Sequence, residues 1–385
     1  MPKKNQAITA SDLWKIQRPA SPTLSPDGSQ ACVALTGYDM NDNKASSSLW
    51  LLSTFGGDPR ELTRCGDRDG QPQWSPDGSL IAFVAKRGDG KDADAEPQLY
   101  VIPPDGGEAR RVSNIATGVS AIKWFADSKK IAFISWVWPT LKSEKAQAKK
   151  LKEKQDDKVK AHVVENTSFR HWDHWLSDGR VPHLHVLDIA SGKCRDLFAA
   201  DTYALQSTDP GLNDFTISPD GRHVAFCFNP NTDARGDQEH HIAELDLKSG
   251  KIINLTATSP LSHYAPAYSP DGASIALLVQ NMRRSMYDDY KIAIIARSTG
   301  KLQMRNQWDR NINAPLKWAA DSGSIYFTAD EFARLNIWAL NVNANKPALI
   351  VQGGTVTDFD VRADKLVFVR NNMSAAPKVF ACGPP

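Results

Sequence analysis

The chain has 385 residues, of which 41% are hydrophobic and 23% charged, and its formal net charge is +2. A balance so near neutral excludes partners held by bulk charge, such as nucleic acid or an anionic membrane surface. No stretch approaches the eighteen or so uninterrupted apolar residues of a spanning helix, so no membrane partner is expected either.

Residues 1–20 form an N-terminal segment. Its opening, Met1-Pro2-Lys3-Lys4, is basic with no apolar run behind it, unlike a secretory signal, and a cytoplasmic protein is expected. The five cysteines (Cys32, Cys65, Cys194, Cys227, Cys382) are scattered without metal or disulfide spacing. From residue 21 a turn-and-strand unit repeats. Ser25-Pro-Asp-Gly precedes Ala31-Cys-Val, Ser75-Pro-Asp-Gly precedes Ile81-Ala-Phe-Val, and Phe125-Ala-Asp-Ser precedes Ile131-Ala-Phe-Ile. Ser218-Pro-Asp-Gly, Ser269-Pro-Asp-Gly and Ala319-Ala-Asp-Ser follow, and a shortened copy, Arg362-Ala-Asp-Lys, precedes Leu366-Val-Phe-Val. The six full-copy aspartates, Asp27, Asp77, Asp127, Asp220, Asp271 and Asp321, are spaced by 50, 50, 93, 51 and 50 residues. A second strand pattern recurs seven times about twenty residues on, from Leu49-Trp-Leu-Leu to Val379-Phe-Ala, and a glycine turn follows it five times.

Pro-Asp-Gly turns have a mechanism: proline sets the first corner, aspartate bonds nearby amides, and glycine accepts positive φ. Apolar strands on either side make each unit an antiparallel meander that cannot bury both faces alone, so units must stack. Units of about fifty residues are blade-sized. The expected fold is all-β, a seven-bladed β-propeller of four-stranded antiparallel blades over residues 21–385. Blade seven, Asp358 to Cys382, lacks room for a last strand. The stretch Leu141–Lys160, rich in Lys, Glu and Ala, reads as a helical insertion in blade three over about 139–165.

The most suggestive polar cluster is Arg170, His171, Trp172, Asp173 and Trp175. An arginine and a carboxylate on one short stretch suit the termini of a peptide, with tryptophan rings as pocket walls. The alternative is tryptophans packed between blades and Asp173 paired with Arg170 or a backbone amide. His183 and His185 alternate onto one strand face, but no ligand-spaced Cys or carboxylate accompanies them, so cross-strand packing is favoured over a metal. No metal and no cofactor are expected. Trp74, Trp124 and Trp318 precede turns and are expected between blades. Tyr287, Asp288 and Asp289 read either as a cavity-facing or as an exposed loop.

Two stretches make the chain resemble a known family. One is Phe169-Arg-His-Trp-Asp-His-Trp175 with Val181-Pro-His-Leu-His-Val. The other is Tyr287-Asp-Asp-Tyr-Lys-Ile, continuing to Thr299-Gly, Trp308-Asp-Arg and Leu316-Lys-Trp318. From Ile8 onward the chain resembles the non-catalytic propeller of the prolyl oligopeptidase superfamily, most like dipeptidyl-peptidase V and acylaminoacyl-peptidase relatives. The resemblance implies a partner α/β-hydrolase domain carrying a Gly-x-Ser-x-Gly nucleophile. That motif is absent here: Gly118-Val-Ser continues with Ala-Ile, and Gly272-Ala-Ser with Ile-Ala. The chain is therefore expected to hold no catalytic residue. It is expected to gate and orient short peptides for a serine exopeptidase, being part of a longer peptidase or a truncated product of its gene. The competing expectation is a stand-alone scaffold for protein partners; a homo-oligomer is compatible with either.

Overall fold

A computed structural model describes residues 8–383 except 65–67, 91–92, 160, 165–168, 200–202, 232–238 and 306–307. Its sheets are the expected seven blades. Blade one comprises β1 (Arg18–Leu24), β2 (Gln30–Asp39), β3 (Lys44–Ser53) and β4 (Arg60–Glu61) in antiparallel order. Blades two to six repeat the plan, with first strands at Gly70–Trp74, Ser120–Trp124, Phe215–Ile217, Ser262–Tyr268 and Ile312–Trp318. Blade seven has three strands, Thr355–Arg362, Lys365–Asn372 and Ala375–Cys382.

The repeated turn holds itself together as its chemistry requires. In the first copy the Ser25 hydroxyl donates to Asp27 Oδ1 at 2.5 Å and accepts from Gln30 N at 3.0 Å, while Asp27 Oδ1 also accepts from Ser29 N at 3.0 Å. The copies at Ser75, Ser218 and Ser269 repeat these contacts. These donors hold the carboxyls of Asp27, Asp77, Asp220 and Asp271 below the usual aspartate range. The fourth turn position sits at positive φ. Gly272 has φ 70°, and a Cβ there would stand 3.6 Å from Pro219 of the preceding blade's turn. Where serine takes that position it reaches back instead: Ser128 accepts from Asp77 N at 3.1 Å and Ser322 from Asp271 N at 3.2 Å.

Strand periodicity puts the core between blades rather than inside them. In the second strand of blade two, Ile81, Phe83 and Ala85 face blade one, while Ala82 and Val84 face blade three. Apolar clusters fill all seven junctions in this way. The junction of blades three and four holds Phe198, Phe215 and Phe226; that of blades six and seven holds Ile337, Phe359 and Phe368. The expected interblade tryptophans are there. Trp74 is buried between blades one and two, and the Nε1 atoms of Trp124 and Trp318 each donate at 2.9 Å to a first-strand carbonyl of the preceding blade, Gln73 O and Ala267 O.

The ring closes between blades seven and one, where the apolar cluster shrinks to Leu24, Ala31 and Val367 with Val379 alongside. Two carboxylates supplement it: Asp358 Oδ2 accepts from Ser21 N at 2.8 Å and Asp360 Oδ2 from Leu24 N at 2.9 Å. Among the described residues no fourth strand pairs with Ala375–Cys382.

The first strands form the inner rim and bulge there. Ser21, Gln71 and Ala265 adopt φ near 50°, and each precedes a proline, Pro22, Pro72 or Pro266. A proline costs no ladder bond at a bulge or on a free edge.

Two stability outcomes follow. Asp271→Ala removes a cap-like acceptor and should destabilise by about 1 kcal/mol, read as a lower urea midpoint with unchanged slope. Asp360→Ala should instead speed amide exchange locally at Leu24 and in blade seven, where Asp271→Ala leaves exchange unchanged.

Candidate functional site

Strand direction gives the disc two unlike faces. The Pro-Asp-Gly turns lie on one, and the loops between second and third strands lie on the other. Exposed large apolar side chains crowd the loop face: Met40 in blade one, Trp172 in blade three, Met286 and Tyr287 in blade five, Phe332 in blade six and Met373 in blade seven. On the turn face Phe55 is exposed, and the Lys365 ammonium covers its ring at 4.8 Å.

The blade-three insertion also rises from the loop face, between strands Lys130–Val137 and Val181–Asp188. Its helix, α1 (Glu144–Asp156), is polar, starts where the Ser143 hydroxyl accepts from Ala146 N at 3.2 Å, and buries only Gln147. Gln147 is pinned on both sides of its amide, donating to Trp138 O and Leu141 O at 2.9 Å and accepting from Trp138 N at 3.1 Å. Lys154 at the helix end pairs with Asp178 at 2.5 Å. Glu144 Oε2 also accepts from Ala116 N at 2.9 Å, so the helix is a solvated element tied down along its length.

Beyond it the Arg170–Trp175 cluster folds as a small hairpin, Arg170–His171 pairing with His174–Trp175, with Trp172 at φ 49° in its turn. It projects from the blade, so its tryptophans do not pack between blades. Arg170 does not pair with Asp173; its Nε donates to Trp172 O at 2.5 Å and its guanidinium lies 5.4 Å from the Trp175 ring centre. Trp175 stacks on His162 at 3.8 Å. Asp173 is open to solvent, with His174 Nε2 3.4 Å from its carboxylate, and Trp172 is 81% exposed. His171 Nε2 lies 3.2 Å from Asp209 Oδ2. His171, Asp173 and Trp175 help line a groove of about 490 Å³ with Trp136, Arg180 and Asp209. Arg170 and Trp172 stand beside that lining.

The sequence alone missed the central channel, because its walls come from all seven first strands. It encloses about 460 Å³ and is lined by Ser21, Gln73, Lys123, Thr216, Lys317 and Asp358, among others, with Pro22, Pro266 and Pro315. One chain segment borders both spaces: Ser207, Asp209 and Pro210 line the groove, and Leu212 and Asn213 line the channel. Lys123 Nζ donates to Phe215 O at 2.5 Å, and burial, with Lys317 nearby, brings its pKa down to about 7. Burial likewise raises Asp214 to about 6. Tyr287, Asp288 and Asp289 line neither space. Tyr287 is 86% exposed, Asp288 pairs with Arg284 at 3.1 Å and Asp289 with Lys291 at 3.3 Å.

His183 and His185 share a face, as alternation requires. His183 Nδ1 lies 2.8 Å from Asp196, and His185 stacks on Phe133 at 5.2 Å. Among the described residues no group of His, Cys, Asp or Glu has metal-binding geometry. His240 and His263 are buried at the junction of blades four and five, His240 4.5 Å from the Tyr264 ring.

Comparison with known proteins agrees with this architecture. No protein-family model matches the chain. A dipeptidyl-peptidase 5 of Porphyromonas gingivalis is 29% identical over 238 residues, which is 59% of this chain and 34% of that protein. Acylaminoacyl peptidase of Pyrococcus horikoshii superposes with a TM-score of 0.69 at 16% identity, over 97% of this chain and 53% of that one. The β-propeller domain of the trilobed protease of Pyrococcus furiosus, described as having an open velcro topology, superposes with a TM-score of 0.65 at 15% identity, over 95% and 93%. The chain is similar in sequence to proteins named dipeptidyl-peptidase 5, of whose length it spans about a third, and it shares its propeller fold with the superposed peptidases.

Burial brings His185, His240 and His263 down to about 4, so each stays neutral when folded but takes a proton near 6.5 when unfolded. Between those values the unfolded chain binds more protons, so their stabilisation is complete above pH 6.5 and is lost as the pH falls toward 4. Asp214, raised to about 6, and Asp358, also raised by burial, act in the opposite sense. Urea midpoints should therefore drop between pH 7 and 5, and drop less in His263→Phe; equal drops in both proteins would refute the assignment.

Proposed function

We propose that this chain is the gating and peptide-orienting propeller of a serine exopeptidase, of dipeptidyl- or acylaminoacyl-peptidase type. In this reading residues 21–385 form one propeller domain behind an N-terminal segment. The α/β-hydrolase domain, outside these residues, covers the loop face. The observation that carries the reading is the unequal distribution of apolar surface. Met40, Tyr287, Phe332 and Met373 stand exposed on one side of the disc, a pattern that marks a docking surface. The two exposed free thiols, Cys194 and Cys382, suit a reducing, cytoplasmic compartment.

The propeller then acts by restriction and by grip. With the loop face covered, peptides reach the serine by the channel or the groove, and folded chains are excluded by size. Asp173 offers a carboxylate to a peptide amino terminus, and Trp172 and Trp175 offer flat walls. Arg170 takes a carboxylate once it gives up the Trp172 carbonyl, and His171 borders the same groove. Acyl transfer itself, with its serine, base and oxyanion hole, belongs to the partner domain.

The same apolar face favours a second reading, a scaffold for other proteins or for a second copy of this chain. One experiment separates them: mix the chain with a separately expressed hydrolase domain from a dipeptidyl-peptidase 5. The gating reading expects a one-to-one complex with sharper discrimination against long peptides. It also expects about tenfold weaker binding for Tyr287→Ser/Phe332→Ser, the loss of a few kcal/mol at most from two buried aromatics, and no change for Phe55→Ser. Asp173→Ala should keep the complex and weaken selectivity for a free amino terminus. Absence of a complex, or self-association in its place, overturns it.

A further inference from the structure

The channel contains a cation, Lys123, that no carboxylate touches among the described residues. Of the carboxylates in or near its lining, Asp358 accepts from Ser21 N, and Asp360 accepts from Leu24 N and pairs with the Lys317 ammonium 3.0 Å away. Asp214 accepts from Gly211 N at 2.7 Å. Lys123 has no carboxylate oxygen within 4.0 Å among the described residues; its one hydrogen-bond partner is the Phe215 carbonyl, and it lies 4.9 Å from the Phe215 ring centre. An ammonium carries three donors, so two remain for a ligand. Around it the amides of Gln73 and Asn213 and the guanidinium of Arg362 line the channel with no side-chain partner among the described residues. Donors and positive charge therefore converge on one space, beside the amide oxygens of Gln73 and Asn213 and the Thr23 hydroxyl. Part of its wall, Pro266, Pro315, Leu316 and Phe359, is apolar. A volume of about 460 Å³ is that of a small-ligand pocket.

We propose that the central channel holds the free carboxylate of a short peptide, with Lys123 as its anchor, Gln73 and Asn213 as flanking donors, and the apolar wall receiving the terminal side chain. The choice of a peptide rests on the gating reading; the carboxylate site rests on the channel itself. Charge-assisted hydrogen bonds to a carboxylate gain strength in such a partly desolvated space. A bound anion also relieves the repulsion between Lys123 and Lys317. The site is separate from the hairpin, so one peptide class meets the propeller at two places, its carboxylate in the channel and its amino end at the groove.

The test is calorimetric titration of the chain with the dipeptide Ala-Phe, with its carboxyl-terminal amide, and with acetate and phosphate. Ala-Phe should bind at least about tenfold more tightly than the amide, the scale of one charged hydrogen bond, and more tightly than acetate or phosphate. Its affinity should fall from pH 6 to 9 as Lys123 loses its proton, with Lys317, Arg362, Asp214, Asp358 and Asp360 the other charged groups facing the site. Lys123→Met should abolish the preference for the acid, and Asp173→Ala should leave it intact. A second measurement needs no variant: acetylation of Lys123 by an activated ester at pH 7.5, followed by mass spectrometry, should be slowed by Ala-Phe and not by its amide. Equal binding of acid and amide, or no protection of Lys123, overturns the site. Equal binding of phosphate and Ala-Phe overturns the peptide assignment. A failure here leaves docking of the hydrolase domain untouched, and a failure to dock leaves these titrations valid.

Discussion

Every blade is a sheet with two apolar faces, and neither can be buried within the blade. That constraint generates the ring. Ile81 and Phe83 need blade one while Ala82 and Val84 need blade three, so each blade is completed only by both neighbours, and the chain must return to its start. Six junctions are sealed by packed aromatic and branched side chains. At the seventh, three buried apolar residues share the task with Asp358 and Asp360 gripping the backbone of blade one. Closure there is supplemented by polar contacts, and one of the two carboxylates, Asp360, also pairs with Lys317 of the channel wall. Ring closure and the charge of the channel thus share a side chain.

The alternation of strands also sorts the surface. All tight Pro-Asp-Gly turns fall on one side, where their hydrogen bonds are spent internally and little apolar area shows. Variable loops fall on the other, together with the insertion and the exposed aromatics. A propeller built this way has a side that is finished and a side that is available, and the hairpin and groove belong to the latter.

Blade number, turn positions and the three-stranded last blade were legible because each depends on residues within about twenty positions of one another. So was the helix, from its Lys, Glu and Ala content. The hairpin was not, since Arg170 to Trp175 is too short for a period to show. The channel was hidden for a different reason: Gln73, Lys123, Thr216 and Lys317 meet only through ring closure, and nothing local marks any of them. One repeating signal did go unread. Pro22, Pro72, Pro266 and Pro315 stand five or six residues before the turn aspartates, which is where the inner strands bulge. The outer-strand arginines were equally uniform: Arg60, Arg110 and Arg195 each donate to a carbonyl of the next blade.

Those prolines have a further consequence for whatever enters the channel. An extended chain lying along a bare sheet edge would ordinarily zip onto it, amide to carbonyl, and be fixed in one register. Here the inner edges of blades one, two, five and six each lose a donor at a proline, and those of blades one, two, three and five are bent by a residue in the left-handed conformation, so a chain entering there would meet a broken ladder on most of them. On those edges it would be held more by side chains than by backbone pairing. Such a rim would act more as a bearing than as a template.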